Sequence, residues 1–590
     1  TQFTGSGILV TGDRVSLQGN VIGTNASGDS GLGNQGYGIV LQNANEAALG
    51  GFWVTGGVGG DHVEDGIGNV VSGNYLGGVL VENSADVRLI SNRIGTSPDG
   101  LSAVGNGGDG VRVTGSQSFA YFSGDASLSG ATVISANAGS GIFVDATARG
   151  IDVSRAIIGL DESGEQPLGN GAYGIRIERT DASPAGRNFI QFGTISANAS
   201  GGLWINDQRT TAGAAMDYYI GNNLFGLDVN GVRAVGNGNF GAKLQGSTAN
   251  SLTAPAGRAF FSNNTASGQQ GTGLWLERLA GWSISSSRFG TDPTGTYAIP
   301  NDVGLYVHNS FSLRSLDFMG VVSSGSSDLQ ASGNREDGIR VVIDAAINQF
   351  AISHVLVGTD ATGTAAIPNA RGISLDFSNV SPTHPSIHGT VSGNLGPGIV
   401  VTSTASANDR LGLQVRVGIQ STGDDVLPNR GPGIVVAGDS IDTVLSPESA
   451  IAYNRGPGIR HEGSGDGRNI VLATSGQAIF NPSVPLFDGN QGLAVDLGSP
   501  GPTTNSGSAT DHPVITSASL NGAFLDVTGT NSELDTHFIQ FYTTRPTVSG
   551  RGQGQEIVGP TGRLNGSNFP VGLNSYLSSI GAGPFLEDLN

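Results

Sequence analysis

The chain of 590 residues has no cysteine, a single lysine (Lys243) and two methionines. Without cysteine it has no disulfide, no thiolate metal site and no cysteine nucleophile, which fits an extracellular protein that folds without oxidation. Only 13% of the residues are charged, and no apolar run reaches the roughly 18 residues of a membrane-spanning helix. The net charge of −20 argues against nucleic acid or an anionic membrane as the main partner.

Glycine, by contrast, is abundant, with 97 residues. This abundance excludes helical bundles and coiled coils, because each glycine inside a helix costs about 1 kcal/mol relative to alanine. Collagen is excluded because the glycines have no three-residue period. Hydrophobic residues make up 37% of the chain and are spread evenly, which supplies a continuous core and argues against wholesale disorder.

A four-residue module recurs along most of the chain: a glycine, then two aliphatic residues with a variable residue between them. The spacing averages about 32 residues. The module begins at Gly7, Gly38, Gly78, Gly110, Gly141, Gly174, Gly202, Gly241, Gly273, Gly304, Gly338, Gly372, Gly398, Gly433, Gly458 and Gly492. Apolar residues at period 2 predict short strands, which bury their apolar side only when they stack in register.

Two kinds of corner alternate between the modules. An asparagine lies shortly before most modules, where it suits a tight corner because it tolerates left-handed backbone. In every second repeat a longer turn motif appears, such as IGTSPDG at 94–100, IGLDESG at 158–164 and FGTDPTG at 289–295. We therefore predict a structural repeat of two unequal coils, in which the aligned asparagines form a hydrogen-bonded column inside the corner.

These elements resemble a known group of repeats. The Gly-Ile-x-Val modules, the Ser-x-Asn corners at 72–74, 135–137 and 392–394, and the IGTD-x-x-G turns look like the right-handed parallel β-helix repeats of secreted bacterial proteins. That group is related in fold to pectate lyases, polysaccharide epimerases and phage tailspikes. The resemblance covers residues 1–497 and implies an all-β solenoid of about 15 coils. It leaves the function open, because the same coil serves enzymes, adhesins and inert stalks.

The composition changes after the solenoid. Residues 498–513 are rich in proline, glycine, serine and threonine and are predicted to be a linker. Residues 514–590 alternate at period 2, which predicts a small antiparallel module of the β-sandwich type. This tail resembles the segment that often follows such β-helices in large bacterial surface proteins, so we expect the sequence to be a piece of a longer chain.

The variable residue of each module faces outward when the two aliphatic residues face inward. Between positions 112 and 340 these outward residues are four aromatics and four cations, which would stack about 4.8 Å apart. We call them the outer column: Arg112, Phe143, Arg176, Trp204, Lys243, Trp275, Tyr306 and Arg340. Aromatic faces for sugar rings and arginines for carboxylate or sulfate groups predict a polysaccharide groove. The alternative is an ordinary sheet face whose mixed residues favour strand pairing.

Acidic residues and a histidine flank the outer column two positions further along each strand. Asp145, Glu178 and Glu277 are candidates for the acid and base that glycoside hydrolysis requires, and His308 is a candidate proton shuttle. Lys243 or Arg176 would be the base of a lyase. No Arg-x-Pro-x-x-Arg segment of the pectate lyase kind is present, which weakens this enzymatic alternative.

A candidate calcium site lies in the glycine-rich segment 56–61. Its sequence, GGVGGD, fits one copy of a calcium-binding nonapeptide repeat and predicts Asp61 and Asp65 as ligands. The alternative is a glycine-rich loop without an ion. No phosphate loop, dinucleotide fingerprint or zinc-ligand spacing suggests another cofactor.

Two functions remain open on this evidence. The first is an extracellular structural or adhesive β-helix protein, such as a surface stalk, fibre or matrix component, with a glycan-binding face. Its regular repeat favours this function, because enzymes of this fold usually carry long loops that form a cleft. The second is a lyase, glycoside hydrolase or epimerase that acts on a polysaccharide. Self-association through the ends of the solenoid is a further expectation, because open strand edges pair readily.

Overall fold

The computed structural model is built from β-strands and turns, with no α-helix among the described residues. It describes residues 3–25, 27–28, 32–57, 60–65, 67–123, 130–210, 216–247, 257–278, 282–309, 329–344, 351–377, 385–403, 409–422, 425–437, 441–446, 449–462, 470–472, 490–491 and 495–497, and the strands between 514 and 572 that are given below. A search of the described residues found no helix that could cross a membrane.

The chain divides into two compact units, Thr1–Ala361 with Ile367–Ala370, and Thr362–Ala366 with Arg371–Asn590. The first unit is a parallel β-helix, as the repeat predicts, and its strands form three parallel sheets. Sheet 1 contains the module strands Ile8–Val10, Tyr37–Gln42, Gly77–Glu82, Val111–Thr114, Ile142–Val144, Tyr173–Arg179, Gly201–Asp207, Phe240–Gln245, Thr272–Glu277, Val303–Asn309 and Asp337–Ile343.

The other two sheets of this unit complete each coil. Sheet 2 contains Ser16–Leu17, Ala48–Leu49, Val87–Ile90, Phe119–Ser123, Gly150–Ser154, Gly186–Gln191, Met216–Gly221, Gly257–Ser262 and Trp282–Ser285. Sheet 3 contains Val21–Ile22, Val70–Val71, Arg93–Ile94, Val133–Ile134, Ile157–Ile158, Thr194–Ile195, Leu224–Phe225, Thr265–Ala266, Arg288–Phe289, Leu329–Ala331 and Ala351–Val357. One antiparallel hairpin, Gly51–Gly57 with Gly60–Asp65, interrupts the series.

The second unit contains parallel strands of the same kind. One sheet contains Arg371–Phe377, Ile399–Ser403, Ile434–Ala437, Ile459–Glu462 and Val495–Leu497. Another contains Ser386–Val391, Asp409–Val417, Ile441–Leu445 and Ile470–Leu472, and Ala450–Ile451 pairs with Asp409–Val417. The C-terminal strands are antiparallel: Val514–Asn521, Phe524–Thr530 and Asn568–Gly572 form one sheet, His537–Ile539 pairs with Gly562–Leu564, and Tyr542–Pro546 pairs with Gly552–Ile557. The predicted linker, 498–513, lies outside the described residues, and the predicted domain boundaries stay a prediction.

The core of the first unit consists of aliphatic columns that follow the stacking direction. Ile175 and Ile177 have no exposed surface, and Ile175 is in register with Ile142 on one side and Leu203 on the other. Burial of a side chain of this size is worth roughly 1.5–3 kcal/mol, but only where a neighbouring coil covers it. The two aliphatic residues of each module therefore stabilise the stack and not the single coil.

A column of side-chain amides lies inside the corner that precedes sheet 1, as predicted. The Asn137 Nδ2 donates to Asn170 Oδ1 at 3.0 Å, and the Asn170 Nδ2 donates to Asn198 Oδ1 at 2.9 Å. In the first unit the column contains Asn34, Asn74, Asn106, Asn137, Asn170, Asn198, Asn237, Gln269, Asn301, Asn334 and Asn369. The second unit has its own column, from Asn394 through Asn429 and Asn454 to Asn490.

The alternate turns have the form that their motif predicts. In the turn that begins at Ile158, Gly159 has a φ of +92°, and a Cβ there would lie 2.0 Å from the Ser196 carbonyl oxygen. Asp161 then accepts the backbone amides of Glu165 and Gln166. Both the positive φ and the close approach of the next coil require glycine at position 159.

Candidate functional site

The eight residues of the outer column stand side by side on sheet 1. Arg112 is in register with Phe143, and Phe143 with Arg176. The series continues without a gap through Trp204, Lys243, Trp275 and Tyr306 to Arg340. Phe143 is buried and the other seven are half-buried, because the long side chains lie against one another on the outer face.

At the start of the column, two arginines enclose Phe143. The Arg112 guanidinium lies 4.6 Å from the centre of the Phe143 ring, and the Arg176 guanidinium lies 4.9 Å from it. Arg176 also lies 5.1 Å from the centre of the Trp204 ring. Cation–π contacts of this kind contribute about 0.5–2 kcal/mol each, and here they join successive coils.

The middle of the column is centred on Trp275. The Lys243 Nζ lies 3.7 Å from the centre of one Trp275 ring, and the Tyr306 ring lies 5.5 Å away with a tilt of 44°. The Trp204 Nε1 donates to the Gln245 Oε1 at 3.3 Å. Over these four coils the column therefore holds three aromatic side chains and one ammonium group, and the Gln245 amide is hydrogen-bonded at its edge.

Every cation of the column forms an ion pair. Arg112 lies 3.3 Å from the carboxylate of Asp145, and Arg176 pairs with Glu178. The column's other two cations also have partners: Lys243 lies 2.6 Å from Glu277, and Arg340 lies 2.5 Å from Asp337 and 2.7 Å from Glu336. The charges of the face are thus compensated within the chain.

Burial perturbs two ionisable groups of this face. Burial raises the pKa of the Asp109 carboxyl, and the Ser140 amide and Arg112 only partly oppose that shift. Burial lowers the pKa of Arg340, but the charge of Asp337 and its hydrogen bond outweigh burial, so the net pKa is raised. Arg340 therefore stays charged in the column.

The predicted catalytic residues are engaged with neighbouring groups. Asp145 and Glu178 each hold an arginine, and Glu277 holds both Lys243 and Arg278, the latter at 3.1 Å. The His308 Nε2 lies 3.2 Å from the Asp344 Oδ2, and its ring stacks on Tyr306 at 6.1 Å. Glu277 and His308 are neighbours in register, so the structure brings these two together.

Two aromatic residues outside the predicted column, the half-buried Tyr173 and the buried Phe240, pack against it. Tyr173 lies 5.0 Å from Trp204 and 6.1 Å from Phe240, and Phe240 contacts Trp275 edge to face at 6.4 Å. With Tyr306 they form what we call the aromatic cluster: Tyr173, Trp204, Phe240, Trp275 and Tyr306. The Phe240 ring lies over Gly201, where a Cβ would be 2.4 Å from it.

Strict alternation of inward and outward side chains predicts that the residue before each module glycine faces inward. Tyr173 and Phe240 occupy this position, so the sequence pattern does not assign them to the outer column. In the strand Tyr173–Arg179, Gly174 and Ile175 are both buried, and Tyr173 returns to the outer face. A Cβ on Gly174 would lie 2.6–2.8 Å from Ile195, the Gly202 carbonyl and Asn198. The module glycine thus packs inward against the next coil and shifts the alternation by one residue.

Sheet 2 carries a second set of aromatic residues on its outer side. Phe189 and Tyr219 are stacked at 4.8 Å with an interplanar angle of 7°, and Tyr219 and Phe260 are stacked at 4.9 Å with an angle of 10°. Parallel rings at this spacing cover one another's faces. This sheet 2 stack therefore consolidates the coils and offers mainly ring edges to solvent.

The predicted calcium ligands Asp61 and Asp65 lie in the strand Gly60–Asp65 of the antiparallel hairpin, and their side chains lie outside the described residues. Calcium at these two residues stays a prediction. Over the part of the chain that the structure describes, no group of three or more histidine and acidic side chains could hold a metal ion.

Comparison of the chain with models of known protein families, with curated proteins and with solved structures found no match.

Proposed function

We propose that this protein is a non-catalytic extracellular scaffold, structural or adhesive, that presents a glycan-binding face on sheet 1. The observation that supports this proposal is the network of the outer column, in which every cation is paired with a carboxylate and rings stand in register with cations over eight coils. Such a network fixes the surface in one arrangement. Preorganised surfaces of this kind suit binding, because little side-chain entropy is lost on association.

The same network argues against catalysis. Glycoside hydrolysis needs two carboxyl groups with different tasks, one of which must carry a proton. Asp145, Glu178 and Glu277 are each engaged in an ion pair with a cation, and a substrate would have to break that pair to use the carboxylate. The enzymatic alternative would have to use His308 with Asp344, and no observation on the described residues favours it over binding.

The extracellular location is supported by composition. The chain has no cysteine and a net charge of −20, and its repeats resemble those of secreted bacterial β-helix proteins of the pectate lyase-like kind. A scaffold is supported by the regular coil, in which aliphatic and amide columns run through each unit. Self-association through coil ends stays a prediction, which sedimentation at increasing concentration would test.

A panel of neutral and acidic polysaccharides tests the proposal. The purified chain is incubated with each polymer, and new reducing ends and unsaturated sugars are measured beside binding in affinity gels. We expect retarded migration with at least one polymer and no product with any. Product formation would overturn the non-catalytic function, and a Glu277→Gln variant and a His308→Ala variant would then identify the group responsible.

A further inference from the structure

We propose that the aromatic cluster binds an uncharged glycan, and that the arginines of the outer column do not recognise acidic sugars. The inference rests on the proposed glycan-binding face and specifies its ligand. It reverses the sequence-based expectation that Arg112, Arg176 and Arg340 bind carboxylate or sulfate groups. Three features of the structure lead to it.

The first feature is charge. Around the cluster, Arg176 pairs with Glu178, and Lys243 and Arg278 share Glu277. A uronate or sulfate would have to displace one of these carboxylates and leave it without its cation. For the largely buried Lys243–Glu277 pair, whose side chains are 13% and 12% exposed, breaking the pair leaves an uncompensated buried charge, which is strongly destabilising. An uncharged sugar meets no such cost.

The second feature is the polar edge of the cluster. Between Glu178 and Glu277, the flanking positions in register are occupied by the amides of Asn206 and Gln245. Gln208 donates to Asn206 at 2.6 Å, and Gln245 accepts from Trp204, which fixes the orientation of both amides. Side-chain amides are both donors and acceptors, as the hydroxyl groups of a neutral sugar require.

The third feature is ring orientation. In the sheet 2 stack the rings are parallel to within 10°, and their faces are covered. In the aromatic cluster the interplanar angles are 43° for Tyr173 with Trp204, 44° for Trp275 with Tyr306 and 85° for Phe240 with Trp275, and the one near-parallel pair, Tyr173 with Phe240 at 20°, has its ring centres 6.1 Å apart. Tyr173, Trp204, Trp275 and Tyr306 are each half-buried and keep part of their surface for a sugar ring, whereas Phe240 is buried and packs against Tyr173 and Trp275.

The test uses the full chain and two matched triple variants. The cluster variant carries Trp204→Ala, Trp275→Ala and Tyr306→Ala, and the control carries Phe189→Ala, Tyr219→Ala and Phe260→Ala on sheet 2. Circular dichroism and melting temperature establish that each is folded. Calorimetry and affinity gels then use neutral polymers (β-glucan, xylan and galactomannan) and anionic polymers (polygalacturonate, alginate and chondroitin sulfate), at low salt and at about 1 M salt, where screening acts within about 3 Å.

We expect a neutral polymer to bind with an affinity that salt leaves unchanged, and the cluster variant to lose at least tenfold while the control loses less than threefold. Salt-sensitive binding of anionic polymers alone would overturn the inference and leave the glycan-binding face standing. Equal losses in both triple variants would place the site elsewhere. Absence of binding to every polymer would overturn both the inference and the glycan-binding part of the proposed function.

Discussion

The Ser135 hydroxyl joins one coil to the turn of the next, because it donates to the Leu160 carbonyl at 2.6 Å and accepts the Gly159 amide at 3.0 Å. At every second coil of the first unit a corner serine contacts the following turn. Ser72, Ser135 and Ser267 form both hydrogen bonds, Ser196 donates to the Leu227 carbonyl, and Ser332 accepts the Gly358 amide. The Ser-x-Asn corner of one coil and the glycine-rich turn of the next coil therefore form one hydrogen-bonded unit that spans two coils.

Replacement of Ser135 by alanine tests whether this hydrogen-bonded unit stabilises the stack. The variant leaves the buried Gly159 amide and Leu160 carbonyl without their side-chain partner, and we expect a loss of about 1–3 kcal/mol in the free energy of unfolding. Chemical denaturation measures it. The exposed Ser116→Ala is the control and should change stability by less than about 0.5 kcal/mol. Equal effects of the two substitutions would contradict the role of Ser135.

The amide column has one irregular member, Gln269. Its Nε2 donates to the carbonyls of Phe225 and Ser267 at 2.7 and 3.0 Å, and only its backbone amide reaches Asn301, at 3.0 Å. We expect Gln269→Asn to continue the side-chain column and to raise stability by about 0.5–1.5 kcal/mol. The reverse change, Asn170→Gln, should lower it. A destabilised Gln269→Asn would show that the longer side chain is required there.

Asp292 should make the protein sensitive to acid. Burial raises the pKa of Asp292, but hydrogen bonds from the Thr294 hydroxyl and from the amides of Tyr297 and Thr296 outweigh burial, so the net pKa is lowered. A carboxyl with a lowered folded-state pKa adds stability above its unfolded value of about 3.9, and this stability is lost as the pH falls through the folded-state pKa.

The comparison of wild type with Asp292→Asn isolates this contribution. We expect the variant to be less stable at pH 7 by about 1 kcal/mol, and the difference to shrink when denaturation is repeated below about pH 4. A difference that stays constant from pH 7 to pH 3 would show that the carboxylate charge has no part in the turn.

Gly201 makes room for the Phe240 ring, so a methyl group there should disturb the aromatic cluster without removing any ring. In Gly201→Ala the new Cβ would lie 2.4 Å from the Phe240 Cε2, and the ring must move. We expect a changed near-ultraviolet dichroism and a severalfold weaker binding of a neutral glycan. Gly221→Ala on sheet 2, where the nearest atom is 3.5 Å away, is the control. An unchanged spectrum in Gly201→Ala would contradict the packing described.

Lys243 is the only lysine and therefore a single reporter of the outer column. Its side chain is 13% exposed and lies 2.6 Å from Glu277. We expect amine-acylating reagents to modify it slowly in the native protein and rapidly in urea, as measured by mass spectrometry. Glu277→Gln, which removes the ionic partner, should increase the native rate severalfold. Native modification as fast as in urea would show that the ion pair does not protect Lys243.

The sequence by itself determined the coil. The period of the module, the alternation of Ile175 with Ile177 and the spacing of the asparagines require stacked parallel strands, because neither the apolar side chains nor the corner amides find partners within one repeat. The same periodicity placed the outer column in register from Arg112 to Arg340. These are properties of local pattern, which sequence displays directly.

Only the tertiary structure decided whether the charged residues of the outer column are paired within the chain and which further aromatic rings contact it. Whether Arg176 is free for a ligand depends on the distance to Glu178, and strand periodicity contains no such distance. Tyr173 reaches the outer face because Gly174 packs against the next coil and shifts the alternation, so its orientation is set by a neighbour and not by its own segment. Side-chain pairing and close packing are relations between coils, and they exist only once the coils are stacked.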